Sequence, residues 1–113
     1  FFGGFLDNGA VFNSGGVYDL ANNSWQLITQ TNAPIRYELI NAHNAVWTGA
    51  EMVVWGSDQA APGNLPVRPN TGGIYNPNTN SWVATSTVGA PPGRLGHSTV
   101  WTGTQMIVYG GIK

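Results

Sequence analysis

The residues with the most chemical capacity are two histidines, His43 and His97, each preceded by an arginine, Arg36 and Arg94. An imidazole titrates near neutrality and can serve as general base, proton shuttle or metal ligand. Two of them would suggest a metal centre or a hydrolytic site, but their settings argue otherwise. His43 opens "HNAVWTGAEMVVWG" and His97 opens "HSTVWTGTQMIVYG", one phrase written twice, 54 positions apart. A side chain that recurs at one place in each copy of a unit serves the unit, so both histidines are read as structural. Arg36 and Arg94 follow the same logic, and hydrogen bonding to backbone between neighbouring units is their expected role. Glu38 and Asp58 are carboxylates, but glycoside hydrolysis needs two of them at a fixed separation, and nothing here sets one. No G-x-S-x-G elbow, phosphate-cradling loop or clustered metal-ligand spacing occurs. The chain has no Cys, so thiolate chemistry is excluded. No catalytic residue, metal or cofactor is expected.

The five Trp residues raise the possibility of sugar stacking. They too have counterparts. Trp25 answers to Trp82, Trp47 to Trp101, Trp55 to Tyr109 with Phe2 as a third equivalent, and Tyr18 to Tyr75. Core packing is the expected role, and Trp25→Ala or Trp82→Ala is expected to collapse the fold.

The repetition is general. "GGVYDLANNSW" (15–25) returns as "GGIYNPNTNSW" (72–82), a shift of 57, and Ala33-Pro34 returns as Ala90-Pro91. Three extra residues in the first copy, between Pro34 and His43, reduce the later shift to 54. The repeat copies span about 15–56 and 72–111. Self-similarity at such a period indicates stacked structural units.

Each unit holds four short strand-like runs. In the second copy they are "GGIYN" (72–76), "NSWVAT" (80–85), "GHSTVW" (96–101) and "QMIVYG" (105–110). Val, Ile, Thr, Tyr and Trp favour a pleated half-buried surface, and the intervening Gly, Asn and Pro favour turns. No run carries a helical period. The run "MIVY", like "MVVW" before it, is apolar on both faces, as in a strand covered by neighbours. The fold class is all-β, with four-stranded antiparallel sheets. In chain order, half a sheet precedes one whole sheet and another half follows it. Open halves expose strand edges and apolar faces that invite pairing.

Composition limits the partners. The 113 residues carry a net charge of −1, and 8% are charged, so there is no electrostatic footprint for nucleic acid. No run approaches the roughly 20 apolar residues of a membrane span.

The double Gly that ends one strand, the Tyr of the next, the Trp after it, and the Arg and His ahead of the following strand resemble the kelch repeat. The residues that carry the resemblance are Gly110-Gly111, Gly72-Gly73, Tyr75, Trp82, Arg94 and His97. In the first copy they are Gly15-Gly16, Tyr18, Trp25, Arg36 and His43. Trp47 and Trp101 are counted with this structural set. Trp55-Gly56-Ser57 departs from the pattern by breaking the double Gly, and an insertion separates Arg36 from His43. The "WTG-x-x-M-[IV]-V" wording is similar to bacterial kelch-like proteins, which implies an extracellular or cell-surface location. The resemblance also implies a closed β-propeller of about six blades. Two blades' worth of strands cannot close such a ring. The chain (1–113) is therefore expected to be a propeller segment, a fragment of a longer array; the other possibility is an oligomer in which copies complete one another. The copper-radical oxidases of this fold need a Cys crosslinked to Tyr, which this chain lacks.

Departures from the repeat are the more informative residues, because the unit does not require them. The connection after each double-Gly strand (5–14 and 57–71) and the insertion after Pro34 are long, and antiparallel geometry puts all of them on one face. Loops on a rigid scaffold disproportionately carry binding. The expected binding face comprises Tyr37, Glu38, Asp58, Gln59, Asn64 and Arg68. The expected function is a non-enzymatic binding or structural module with a protein or glycan partner. The alternatives are a self-assembling propeller with lectin-like sugar binding and a segment of an enzyme whose catalytic residues lie elsewhere.

Overall fold

The computed structural model describes residues 3, 14–34, 44–56, 59–60 and 66–113. Ten strands form, with no helix among the described residues: β1 (Gly16–Asp19), β2 (Ser24–Leu27), β3 (Asn44–Trp47), β4 (Met52–Trp55), β5 (Gln59–Ala60), β6 (Pro66–Val67), β7 (Gly72–Asn76), β8 (Ser81–Ala84), β9 (Ser98–Trp101) and β10 (Met106–Tyr109). All pairings are antiparallel. One four-stranded sheet runs in the order β3-β4-β7-β8, and β1-β2, β9-β10 and β5-β6 make two-stranded sheets. The chain is all-β. Strands β3 to β8 straddle the two sequence copies, so sequence unit and sheet are out of phase by two strands.

The turns repeat as faithfully as the sequence. Thr48 N donates to Glu51 O at 2.9 Å, and Thr102 N donates to Gln105 O at the same distance. Each Thr hydroxyl accepts from the backbone three residues on, at 3.0 Å from Glu51 N and 3.1 Å from Gln105 N. Gly49 and Gly103 take φ of 100° and 105°, a region closed to most side chains. At the other hairpins, Asp19 Oδ1 accepts from Ala21 N at 3.0 Å and Asn76 Oδ1 accepts from Asn78 N at 2.9 Å. Asn23 and Asn80 close these hairpins with φ of 49° and 47°. Asn tolerates this left-handed conformation better than most residues.

The core consists of Ile28, Ala33, Val54, Tyr75 and Trp82, with Val17 and Met52 packed against it. It fills the space between the β7–β8 hairpin and the segment leaving β2. In register, Val54 pairs with Gly73 and Tyr75 with Trp82. Beyond it, β3 lies against β9, and Asn44 Nδ2 donates to the His97 carbonyl.

Two expectations need correcting. Core packing is expected of every repeated aromatic, yet Tyr18, Trp25 and Trp47 are exposed. Trp55 is buried, whereas its counterpart Tyr109 is exposed. For Tyr18, Trp25 and Tyr109, which lie in the outer hairpins, no neighbour supplies cover among the described residues; Trp47 is exposed within the four-stranded sheet itself, so its repeat position does not set its burial. The connection 57–71, read as one loop, also contains the β5–β6 pair, in which Gln59 faces Val67 and Ala60 faces Pro66.

Candidate functional site

Of the expected binding face, Tyr37, Glu38, Asp58 and Asn64 lie outside the described residues, as does His43. Gln59 is placed on β5. Arg68 follows β6, and its backbone carbonyl abuts Gly93, with no room there for a Cβ. The connection from β4 to β7 and the connection from β8 to β9 therefore meet at Arg68 and Gly93. The tight turns at 48–51, 76–81 and 102–105 belong to the opposite ends of the strands. This grouping is the one antiparallel geometry requires.

Arg94 and His97 occupy the start of the β9–β10 unit. Arg94 Nη1 donates to Gly110 O at 2.9 Å and Nε to Pro92 O at 3.1 Å. Its bonds go to backbone, as expected, but within its own hairpin unit. His97 is 4% exposed, with its ring edge-on to Trp55 at 5.4 Å between centroids. Gly56 lies beside it, and a Cβ there would come within 2.6 Å of His97 Cε1. Burial, and then the Arg94 charge, hold the imidazole below its ordinary pKa, while the Trp55 backbone pulls weakly the other way. Neither ring nitrogen has a well-formed hydrogen bond. The imidazole packs edge-on against Trp55, and no cluster of metal-ligating side chains occurs among the described residues.

The most pronounced duplicated constellation joins Tyr, Trp and Asn. Tyr75 and Trp82 lie 5.2 Å apart at 47°, and Tyr18 and Trp25 lie 5.0 Å apart at 48°. Tyr75 Oη donates to Asn80 Oδ1 at 2.8 Å, and Tyr18 Oη donates to Asn23 Oδ1. Burial separates the two sets. Tyr75 and Trp82 are 2% and 4% exposed, whereas Tyr18 and Trp25 are 43% and 66% exposed. The inner pair is covered by the segment after β2: Trp82 Nε1 donates to Thr29 O at 2.9 Å, and Thr29 N donates to Asn80 Oδ1 at 3.0 Å. With Leu20 and Leu27, the outer pair forms an open apolar face. The sequence signal for this face is the repetition of the aromatics, which by itself does not tell a covered copy from an open one.

Compared with family models, curated proteins and solved structures, the chain matches none.

Proposed function

We propose that this chain is a segment of a kelch-type β-propeller that acts as a non-enzymatic binding module and presents its long-loop face to a protein or glycan partner. The fold part of the reading is supported by the strand order. A four-stranded meander, β3-β4-β7-β8, is flanked by β1-β2 and β9-β10, which hold complementary halves of the same unit. The innermost strand of the whole sheet, β3, lies against its counterpart β9, as it would around a propeller axis.

The observation that carries the functional part is the meeting of Arg68 and Gly93. It brings both long connections to one end of the sheets, where variation in length does not disturb the unit. An extracellular location accords with the resemblance to bacterial repeats.

Isothermal titration against a glycan panel, with wild type and Arg68→Ala, tests this reading. The contact at Gly93 is through Arg68 backbone, which the variant keeps, and its unfolding midpoint separates loss of binding from loss of fold. Loss of binding with an unchanged unfolding midpoint is the expected outcome. A ligand kept by Arg68→Ala but lost by Trp25→Ala would move the site to the open aromatic face.

A further inference from the structure

We propose that the open β1–β2 face is a docking site for a second copy of this chain, which inserts its 85–91 turn against Tyr18 and Trp25. The proposal rests on the repeat architecture above and engages residues 85–91 of the β8–β9 connection rather than Arg68. The interface already exists once within the chain, where the 28–34 turn covers Tyr75 and Trp82. The 85–91 turn is its counterpart in conformation as well as in sequence position. Ala33 N donates to Gln30 O at 3.1 Å, and Ala90 N to Thr87 O at 3.2 Å. Thr31 N donates to Thr29 Oγ1 at 3.2 Å, and Val88 N to Ser86 Oγ at 3.1 Å. Asn32 and Gly89 hold φ of 58° and 70°. One turn is used internally; the other projects into solvent, with Val88 92% exposed.

The acceptor is preformed too. Tyr18, Trp25 and Asn23 hold the geometry of Tyr75, Trp82 and Asn80. Gly16 lies against Trp25 as Gly73 lies against Trp82. Transferring the internal contacts gives specific bonds. Trp25 Nε1 donates to Ser86 O of the second copy, whose Ser86 N donates to Asn23 Oδ1. Asn23 Nδ2 reaches its Ala84 O, and its Pro91 covers Gly16. Thr85 stands where Ile28 does, so this junction is less apolar and weaker than the internal one. In this pose, Gly110 of the second copy falls at the place of Gly3. Gly3 N donates to Ser14 O as Gly56 N does to Thr71 O, so Gly3 must give up that bond. The contact is head-to-tail, with different surfaces on the two copies, so it extends or closes by rotation.

Sedimentation of the full 113-residue chain over a concentration series tests the proposal. Wild type should gain mass with concentration. Ala90→Arg blocks the donor turn and Trp25→Ala removes the acceptor, and each alone should remain a folded monomer by circular dichroism. Mixed together, the two variants retain one good donor and one good acceptor, and should form a complex of twice the monomer mass that grows no further. A wild type that stays monomeric overturns the proposal, as does association that survives both substitutions, which would point to the β10 edge. So would a monomer whose Trp25 fluorescence responds to an oligosaccharide, which would assign the face to a sugar. The first two outcomes leave the loop-face reading untouched, whereas a sugar at Trp25 would move the site of that reading as well.

Discussion

Gly73 lies under the Trp82 ring so closely that a Cβ on it would stand 2.9 Å from Trp82 Cε3 and 2.6 Å from Pro34 Cγ. Its counterpart Gly16 has the same relationship to Trp25, at 2.8 Å from Cε3, but Trp25 is free to swing into solvent and Trp82 is not. Gly73→Ala should therefore cost about 1–3 kcal/mol, the usual penalty of overpacking, and Gly16→Ala clearly less. Truncation of the rings should separate in the same way. Trp82→Ala should cost about 3–5 kcal/mol and Trp25→Ala less than about 1 kcal/mol, rather than collapsing the fold. Urea unfolding midpoints of the four variants check the ranking; equal losses at both positions would contradict it.

Asn80 performs three tasks with one side chain. Its Oδ1 accepts from Tyr75 Oη at 2.8 Å and Thr29 N at 3.0 Å, and its Nδ2 donates to Leu27 O at 3.3 Å. It does so in a left-handed conformation. Asn80→Ala should cost about 1–3 kcal/mol for the polar groups it strands, plus the strain of Ala at that φ. Asn80→Gly should recover only the strain. Asn23→Ala pays the same strain but loses only the Tyr18 bond at an exposed site, and should fall below Asn80→Ala. Thermal unfolding of the three variants gives the ranking, and parity between Asn80→Ala and Asn23→Ala would be the wrong outcome.

The buried imidazole makes stability depend on pH. Folding holds His97 below its ordinary pKa of 6.5, so the unfolded chain binds that proton more readily than the folded one. The contribution is complete above 6.5, falls as pH decreases toward the folded pKa, and levels off below it. Asp19, held below its ordinary 3.8 mainly by its bond to the Asn22 side chain, loses its contribution in a separate, more acid window. Denaturant midpoints on either side of 6.5 should show wild type weakening on the acid side and His97→Gln weakening less. An unchanged slope in His97→Gln would remove His97 from the account.

Strand order was legible because each strand is marked twice. Gly72–Asn76 coincides with its expected run, and the Thr-Gly hairpins fall where their sequence placed them. The exposure of Trp25 and Tyr109 was not legible. A repeat reveals what a position is built to touch; whether that neighbour is present depends on elements far along the chain. The short β5–β6 pair was missed for a different reason. Two residues a side carry no readable alternation, and Pro66 argues against a strand in the ordinary reading. Arg68 was placed at the correct end by topology alone, through loop length, whereas its contact with Gly93 needed coordinates.

The offset between repeat and sheet has a consequence for how such a chain can change over generations. Each sequence copy supplies the last two strands of one sheet and the first two of the next. If recombination between the Gly-Gly boundaries adds or deletes one whole copy, the strands on either side of the splice still find partners in their accustomed order. The count of sheets changes by one and none is split, so an array of this kind can lengthen or shorten without passing through an unfoldable intermediate.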